Sequence, residues 1–282
     1  MRNNERTDIV NKKNPLHSNS GIGSMLFDMT SENDFDLPQE FLQIDIENVP
    51  AIYDHSKRIM GVMLQYKELM MMYTCAIKEI RTRFEVLNAE FNVRHSRNPI
   101  NFINTRLKRS SSLIEKMERN NVPLSIESIE ENIDDVAGIR VICSYVDDIY
   151  LIANALAGQN DVELIMQKDY IANPKPNGYR SLHMIVRIPV NFENGTKLVK
   201  VEVQIRTIAM DFWATLEHEL KYKNEIVGVE EIVAELKDCA EIISDADSKM
   251  LEIRRRIEQS GETQSETDLL LERIKKLDHP IG

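Results

Sequence analysis

The strictest constraint on this chain's fold is one short run, Leu198 to Ile205, reading LVKVEVQI. Its residues alternate with the period of a β-strand, so Val199, Val201, Val203 and Ile205 share one face and Lys200, Glu202 and Gln204 the other. Such a strand needs a core for its apolar face. Its polar face is either solvated or lines a site, and the run alone leaves both open. Three more runs read as strands. Val162 to Met166 and Leu182 to Val190 flank a loop, and Ile139 to Val146 is β-branched and apolar enough to be buried on both faces. Asp147 to Leu156 reads as a helix capped by Asp147, and RTIAMDFWATLEHELKYK as an amphipathic helix carrying Trp213, the only tryptophan.

The loop between the flanking strands, KDYIANPKPNGYRSLH from Lys168 to His183, holds Asn173, Pro174, Pro176, Asn177 and Gly178, which account for its turns. It also carries Lys168, Lys175, Arg180 and His183 as candidate cations beside Tyr170 and Tyr179. Cations next to aromatic faces suit a ligand with both phosphates and a flat base, while an ordinary solvated hairpin loop has the same composition. A second basic segment runs from Arg94 to Arg119, and its latter half is helical by pattern. Ser112, Lys116 and Arg119 then fall on one helix face. Against a net charge of −11, this positive cluster stands out. The same charge excludes a protein that coats nucleic acid through bulk electrostatics, so a phosphate ligand would need a local basic pocket.

Cys75, Cys143 and Cys239 lie far apart, which excludes an evident zinc knuckle or disulfide framework and fits a reducing cytosol. No apolar run reaches membrane-spanning length and no signal-peptide core stands at the start, so a cytoplasmic protein without membrane contact is expected. Residues 1–38 are polar and read as a disordered extension. In the helical region over 39–97, Ile59, Val62, Met63, Tyr66, Leu69, Met70 and Tyr73 form one face, read as core or subunit contact. Val229, Ile232, Leu236, Cys239, Ile243, Ala246, Met250, Ile253 and Ile257 alternate steps of three and four, a heptad seam. The seam needs a partner helix, from this chain or another, and the Met-rich face is the candidate. A further helix is expected over Thr263 to Leu277.

Taken together, DDVAGIR, the loop ending GYRSLH, VEVQIRT and MDFWATLEHELKYK resemble the small alarmone synthetases of the RelQ type, the stand-alone branch of the RelA/SpoT homologues. The likeness spans 98–223, taken as the synthetase domain, with 224–282 as C-terminal helices for oligomerisation. It implies an α+β fold, α/β-like, with a mixed sheet of about five strands surrounded by helices, related to the nucleotidyltransferases and with long helices at both termini. It also implies transfer of pyrophosphate from ATP to the 3′-hydroxyl of GDP or GTP, with GMP a further acceptor, to make ppGpp, pppGpp or pGpp in the stringent response.

That chemistry asks for cations on the polyphosphate, a carboxylate-held Mg²⁺ and a base at the 3′-hydroxyl. By resemblance, Asp135 holds Mg²⁺, and Glu202 is the base or second metal ligand. Arg106, Lys108, Ser112, Lys116, Arg119 and Arg140 serve ATP, with Arg106 and Arg140 clasping the adenine. On the acceptor side Tyr179 stacks on guanine, Lys168, Lys175 and His183 meet the 5′-phosphates, and Asn177 and Gln204 lie beside the nucleotide. The family's alarmone-binding cleft would involve Phe102 and Asp211. Many members read MNFWAT where this chain has Asp211, and an aspartate facing that cleft would repel a phosphate-rich effector. The chain has no His-Asp dipeptide and too little length for the family's hydrolase domain, which leaves a synthetase only. A homo-oligomer, a tetramer in this family, is expected, and a single-stranded RNA regulator is a further candidate partner. The competing expectation is a catalytically weak nucleotide- or RNA-binding regulatory module on the same scaffold.

Overall fold

The computed structural model describes residues 49–222, 229–261, 270 and 273–274. The extension over 1–38 and most of the helix expected at Thr263 to Leu277 lie outside them. Two compact units divide the chain, 1–55 and 56–282, and the described part of the first is the opening of a helix. In order, the elements are α1 (Val49–His95), β1 (Ile100–Leu107), α2 (Ser110–Arg119), α3 (Ile126–Asn132), β2 (Ala137–Cys143), α4 (Val146–Ala157), β3 (Glu163–Asp169), β4 (Leu182–Phe192), β5 (Gly195–Thr207), α5 (Ile208–Tyr222) and α6 (Val229–Gly261).

The five strands form one mixed sheet in the order β1-β2-β5-β4-β3, with β2 and β5 parallel and the other pairs antiparallel. The alternating run is central, as a strand buried on one full face must be. Val199, Val201, Val203 and Ile205 join Ile139 and Val141 of β2 and Met184, Val186 and Ile188 of β4 in the core. Ile80 and Phe84 of α1 and Ile149, Ile152 and Leu156 of α4 pack into the same cluster. The inward face of α1 continues the expected stripe through Leu69, Tyr73, Ile77 and Ile80, while Val62 is exposed.

Four strands coincide with the sequence patterns; β1 is the fifth. It falls inside the basic segment, and as an edge strand with one neighbour it needs only Ile100 fully buried, so no alternation marks it. The short α3 also escapes the pattern, although Ser125 caps it by accepting a bond from the Ser128 amide at 3.1 Å. Strand β2 ends at Cys143, short of the expected Val146, and α4 begins at Val146 with Tyr145 rather than Asp147 as its cap. Asp147 and Asp148 occupy its first turn, where carboxylates favour the helix dipole.

The face that α6 turns to its own domain is rotated from the expected seam. Leu236, Ala240 and Ile243 pack with Trp213 and Ala214 of α5. Further along, Asp247 accepts a 2.5 Å bond from Thr207, and Arg254 pairs with Asp147 at 2.5 Å and reaches the buried Asp148 at 3.7 Å. Leu236 and Ile243 of the seam lie on this face; Met250, Ile253 and Ile257 are exposed. The Met-rich face of α1 contributes to the sheet's core instead.

Candidate active site

Sheet register assembles the site. Across five neighbouring strands, Lys168, His183, Gln204, Arg140 and Asn104 pair in succession, so residues remote in sequence form one row. In the adjacent row, Gly138 of β2 separates Arg106 of β1 from Glu202 of β5. Having no side chain, Gly138 leaves a gap, and Arg106, Lys108, Asp135, Arg140, Glu202 and Gln204 line one cavity of about 360 Å³. A larger opening of about 570 Å³, beside Tyr73, Glu130 and Leu198, lies away from these carboxylates. Its Lys200 is tied to Asp134 at 2.8 Å and its Arg187 to Glu163 at 2.8 Å.

Asp135 sits just before β2, and its oxygens accept one bond each, from Lys108 at 3.0 Å and Lys116 at 2.7 Å. Burial works to raise its carboxyl, but the bonds from Lys116 and Lys108 prevail and hold it below the usual carboxylate range. Glu202 goes the other way: burial raises it, with the charge of Asp135 adding to the effect. Two carboxylates on one cavity, one held ionised and one pushed towards neutrality, divide naturally into an anchor and a base.

The polar face of β5 continues past Gln204 to Arg206, which no candidate set from the sequence included. Its side chain is buried, with 5% exposed. It donates to Tyr179 Oη at 2.6 Å, Gln204 Oε1 at 2.8 Å and Asp211 Oδ1 at 3.2 Å. Gln204 in turn donates to Glu202 at 3.1 Å. The period-two spacing of Lys200, Glu202 and Gln204 was the available signal, since its next member is Arg206.

His183 is not a cation. Burial, then the charges of Arg206 and Lys175, depress it to about 3. With the ring neutral, the Tyr179 hydroxyl, already accepting from Arg206, donates to Nε2 across 2.7 Å. The ring proton then rests on Nδ1, 3.7 Å from Glu202 Oε1, so that contact is not an ion pair. Lys175 Nζ stands 4.8 Å from the Tyr170 ring centroid and 4.7 Å from that of Tyr179, the expected pairing of cation and aromatic face. Asn177 donates to Glu217 of α5 at 3.0 Å, and Lys168 is exposed on the edge strand β3.

Of the ATP-side candidates, Arg106, Lys108, Lys116 and Arg140 converge on the cavity or on Asp135. Ser112 and the exposed Arg119 share α2 with Lys116 but do not line the cavity. Phe102 lies half exposed on β1. Asp211 is turned inward: its Oδ1 is 3.2 Å from Arg140 and 3.2 Å from Arg206, and its side chain is 15% exposed. Two guanidiniums thus pair with its carboxylate, so its charge does not stand alone on the surface.

A polar sheet face that presents paired carboxylates among lysines and arginines defines a protein that handles phosphate-bearing nucleotides. Residues 105–227 match the region found in RelA/SpoT proteins. The GTP pyrophosphokinase YwaC of Bacillus subtilis is 41% identical over 204 residues, covering 72% of this chain and 97% of the relative. The crystal structure of small alarmone synthetase 2 from Bacillus subtilis superposes with a TM-score of 0.61 at 42% identity, over 68% of this chain and 98% of that one. Small alarmone synthetase 1 from the same organism, bound to its product pppGpp, gives 0.62 at 36% identity, over 71% and 99%. The chain belongs to the RelA/SpoT family, on its small alarmone synthetase branch.

Proposed function

We propose that this protein transfers a pyrophosphoryl group from ATP to the 3′-hydroxyl of a guanine nucleotide, GDP or GTP and, more broadly, GMP. The observation that carries this reading is the continuous polar face of β5. Its Glu202 reaches the cavity shared with Asp135, and its Gln204 and Arg206 join that cavity to Tyr179 and His183 of the acceptor loop. The acceptor 3′-oxygen attacks the β-phosphorus of ATP, the bond from that phosphorus to the α,β-bridging oxygen breaks, and AMP leaves. Glu202 takes the hydroxyl proton, a task its raised pKa suits. Lys108, Lys116 and Arg106 bind the polyphosphate, Arg106 and Arg140 hold the adenine, and Tyr179 stacks on the guanine beside Asn177. Lys168 and Lys175 meet the 5′-phosphates, and the neutral His183 contributes its Nδ1–H as a donor beside them.

Asp135 and Glu202 fit Mg²⁺: both are oxygen donors on one cavity, and each Asp135 oxygen keeps a lone pair beyond its lysine bond. When bound, the ion would neutralise charge on the transferring phosphates. Two carboxylates at a phosphate site oppose anion affinity, which counts against a pure binding module. A cytoplasmic tetramer is part of the same proposal: among the described residues no helix is long and apolar enough to cross a membrane, and α6 exposes Ile242, Met250 and Ile257 on its outer side. The test is incubation of γ-labelled ATP with GMP, GDP or GTP, with and without Mg²⁺. Label should move to the guanine nucleotide with equimolar AMP and only with the metal; release of free phosphate or pyrophosphate in its place would overturn the reading.

A further inference from the structure

We propose that α6, which lies outside the region matched by the family, forms the back wall of the acceptor site, and that the small side chain of Ala240 positions the loop bearing Tyr179. Gly178 has φ 89°, a left-handed conformation that favours glycine. It is pressed against α6 so closely that a Cβ there would stand 2.5 Å from Ala240 Cβ and 3.2 Å from Lys237 Cα. Loop and helix therefore meet closely, with no room for a side chain at Gly178 and the buried methyl of Ala240 directly opposite. The next residue, Tyr179, packs against the cluster of Trp213, Ala214 and Ala240, which Leu236 and Ile243 of α6 also flank. Its ring centroid lies 6.4 Å from that of Trp213, whose indole donates to the Leu236 carbonyl at 2.9 Å. The helix is anchored at the same end of the sheet, through Thr207 to Asp247 at 2.5 Å, so it cannot drift from the loop without breaking that bond. Tyr179 also carries the bonds to Arg206 and His183, so a shift of α6 reaches the acceptor loop and the β5 face together.

The consequence is selective. Ala240 touches the acceptor loop and not the cavity lined by Arg106, Lys108 and Asp135. Enlarging it should cost acceptor affinity and leave ATP affinity alone. This inference rests on the acceptor-site reading above. The test is the graded series A240S, A240C and A240V, measured for KM towards GDP and towards ATP, and for quenching of the single tryptophan, Trp213, by GDP. With increasing volume the GDP KM should climb, reaching about tenfold or more for valine, the scale of overpacking a close-packed contact. The ATP KM should stay within about twofold, as uniform binding on that side is untouched. If A240V does not fold, the serine and cysteine variants still give the trend. A flat GDP KM across the series, or equal rises for both nucleotides, overturns the positioning role while leaving the acceptor site itself intact. A wild type that binds ATP but no guanine nucleotide overturns both.

Discussion

Glu202 and His183 face each other across 3.7 Å, and burial moves them apart in titration, the carboxyl upward and the imidazole down to about 3. A general base must be ionised, so activity should rise with pH through the elevated Glu202 pKa, above the ordinary carboxylate value of about 4.3. His183 stays neutral throughout that window and contributes no limb. A pH-rate profile of wild type and H183N separates the two, because the acid limb should persist in the variant. A limb that vanishes with the histidine assigns the titration to His183 instead. Tyr179 supplies a second check at this scale: Y179A should weaken guanine nucleotide binding by about 1–3 kcal/mol, the worth of one base–aromatic stack. Calorimetry should find ATP binding nearly unchanged, and equal losses for both nucleotides would make Tyr179 a structural residue.

At the scale of elements, the anchor of α6 is ionic. Arg254 pairs with Asp147 of α4, and the buried Asp148 is bonded by Arg97 as well. R254M keeps the aliphatic stem but removes these bonds, and should cost roughly 1.5–3 kcal/mol in chemical denaturation, the range for hydrogen bonds to charged groups. No change in the midpoint would mean that the helix is held by its apolar contacts alone. The same helix shows where the sequence was legible. The period of its apolar residues announced a long helix needing partners, but two interleaved stripes share one three-four spacing. Ala240 and Asp247 carry too little hydrophobic signal to show which stripe faces inward. The central strand was plain because β5 is buried on one face and polar on the other. By contrast, β1 hides inside a basic segment because an edge strand pairs through its backbone. Arg206 was missed although it continues the period-two polar face of β5, because nothing in an arginine's sequence context tells burial from exposure. Nor could sequence show that Asp211 has two arginine partners.

For the whole molecule, the outward side of α6 and the start of α1 expose apolar residues that the other described residues do not cover. Ile242 is 69% exposed, Ile257 66% and Met60 70%. The proposed assembly would cover them, at about 25 cal/mol for each Å² of apolar surface removed from water. The substitutions that should split such an assembly are therefore I253E and I257E, on the outer side, and not changes at Leu236 or Ile243, which face the chain's own α5. Light scattering of that double variant should give a smaller species with its acceptor KM little altered, whereas an unchanged mass would exclude this surface as the interface. The central claim, that the polar face of β5 performs pyrophosphoryl transfer, is tested most directly on Glu202. Wild type and E202Q should be compared for equilibrium binding of GDP and of α,β-methylene ATP, and for single turnover of β-labelled ATP in the presence of GDP. E202Q should bind both nucleotides nearly as wild type does, while forming the 3′-pyrophosphorylated product roughly 10²–10⁴-fold more slowly, the range for loss of a general base. A variant that moves the label at the wild-type rate would contradict the account.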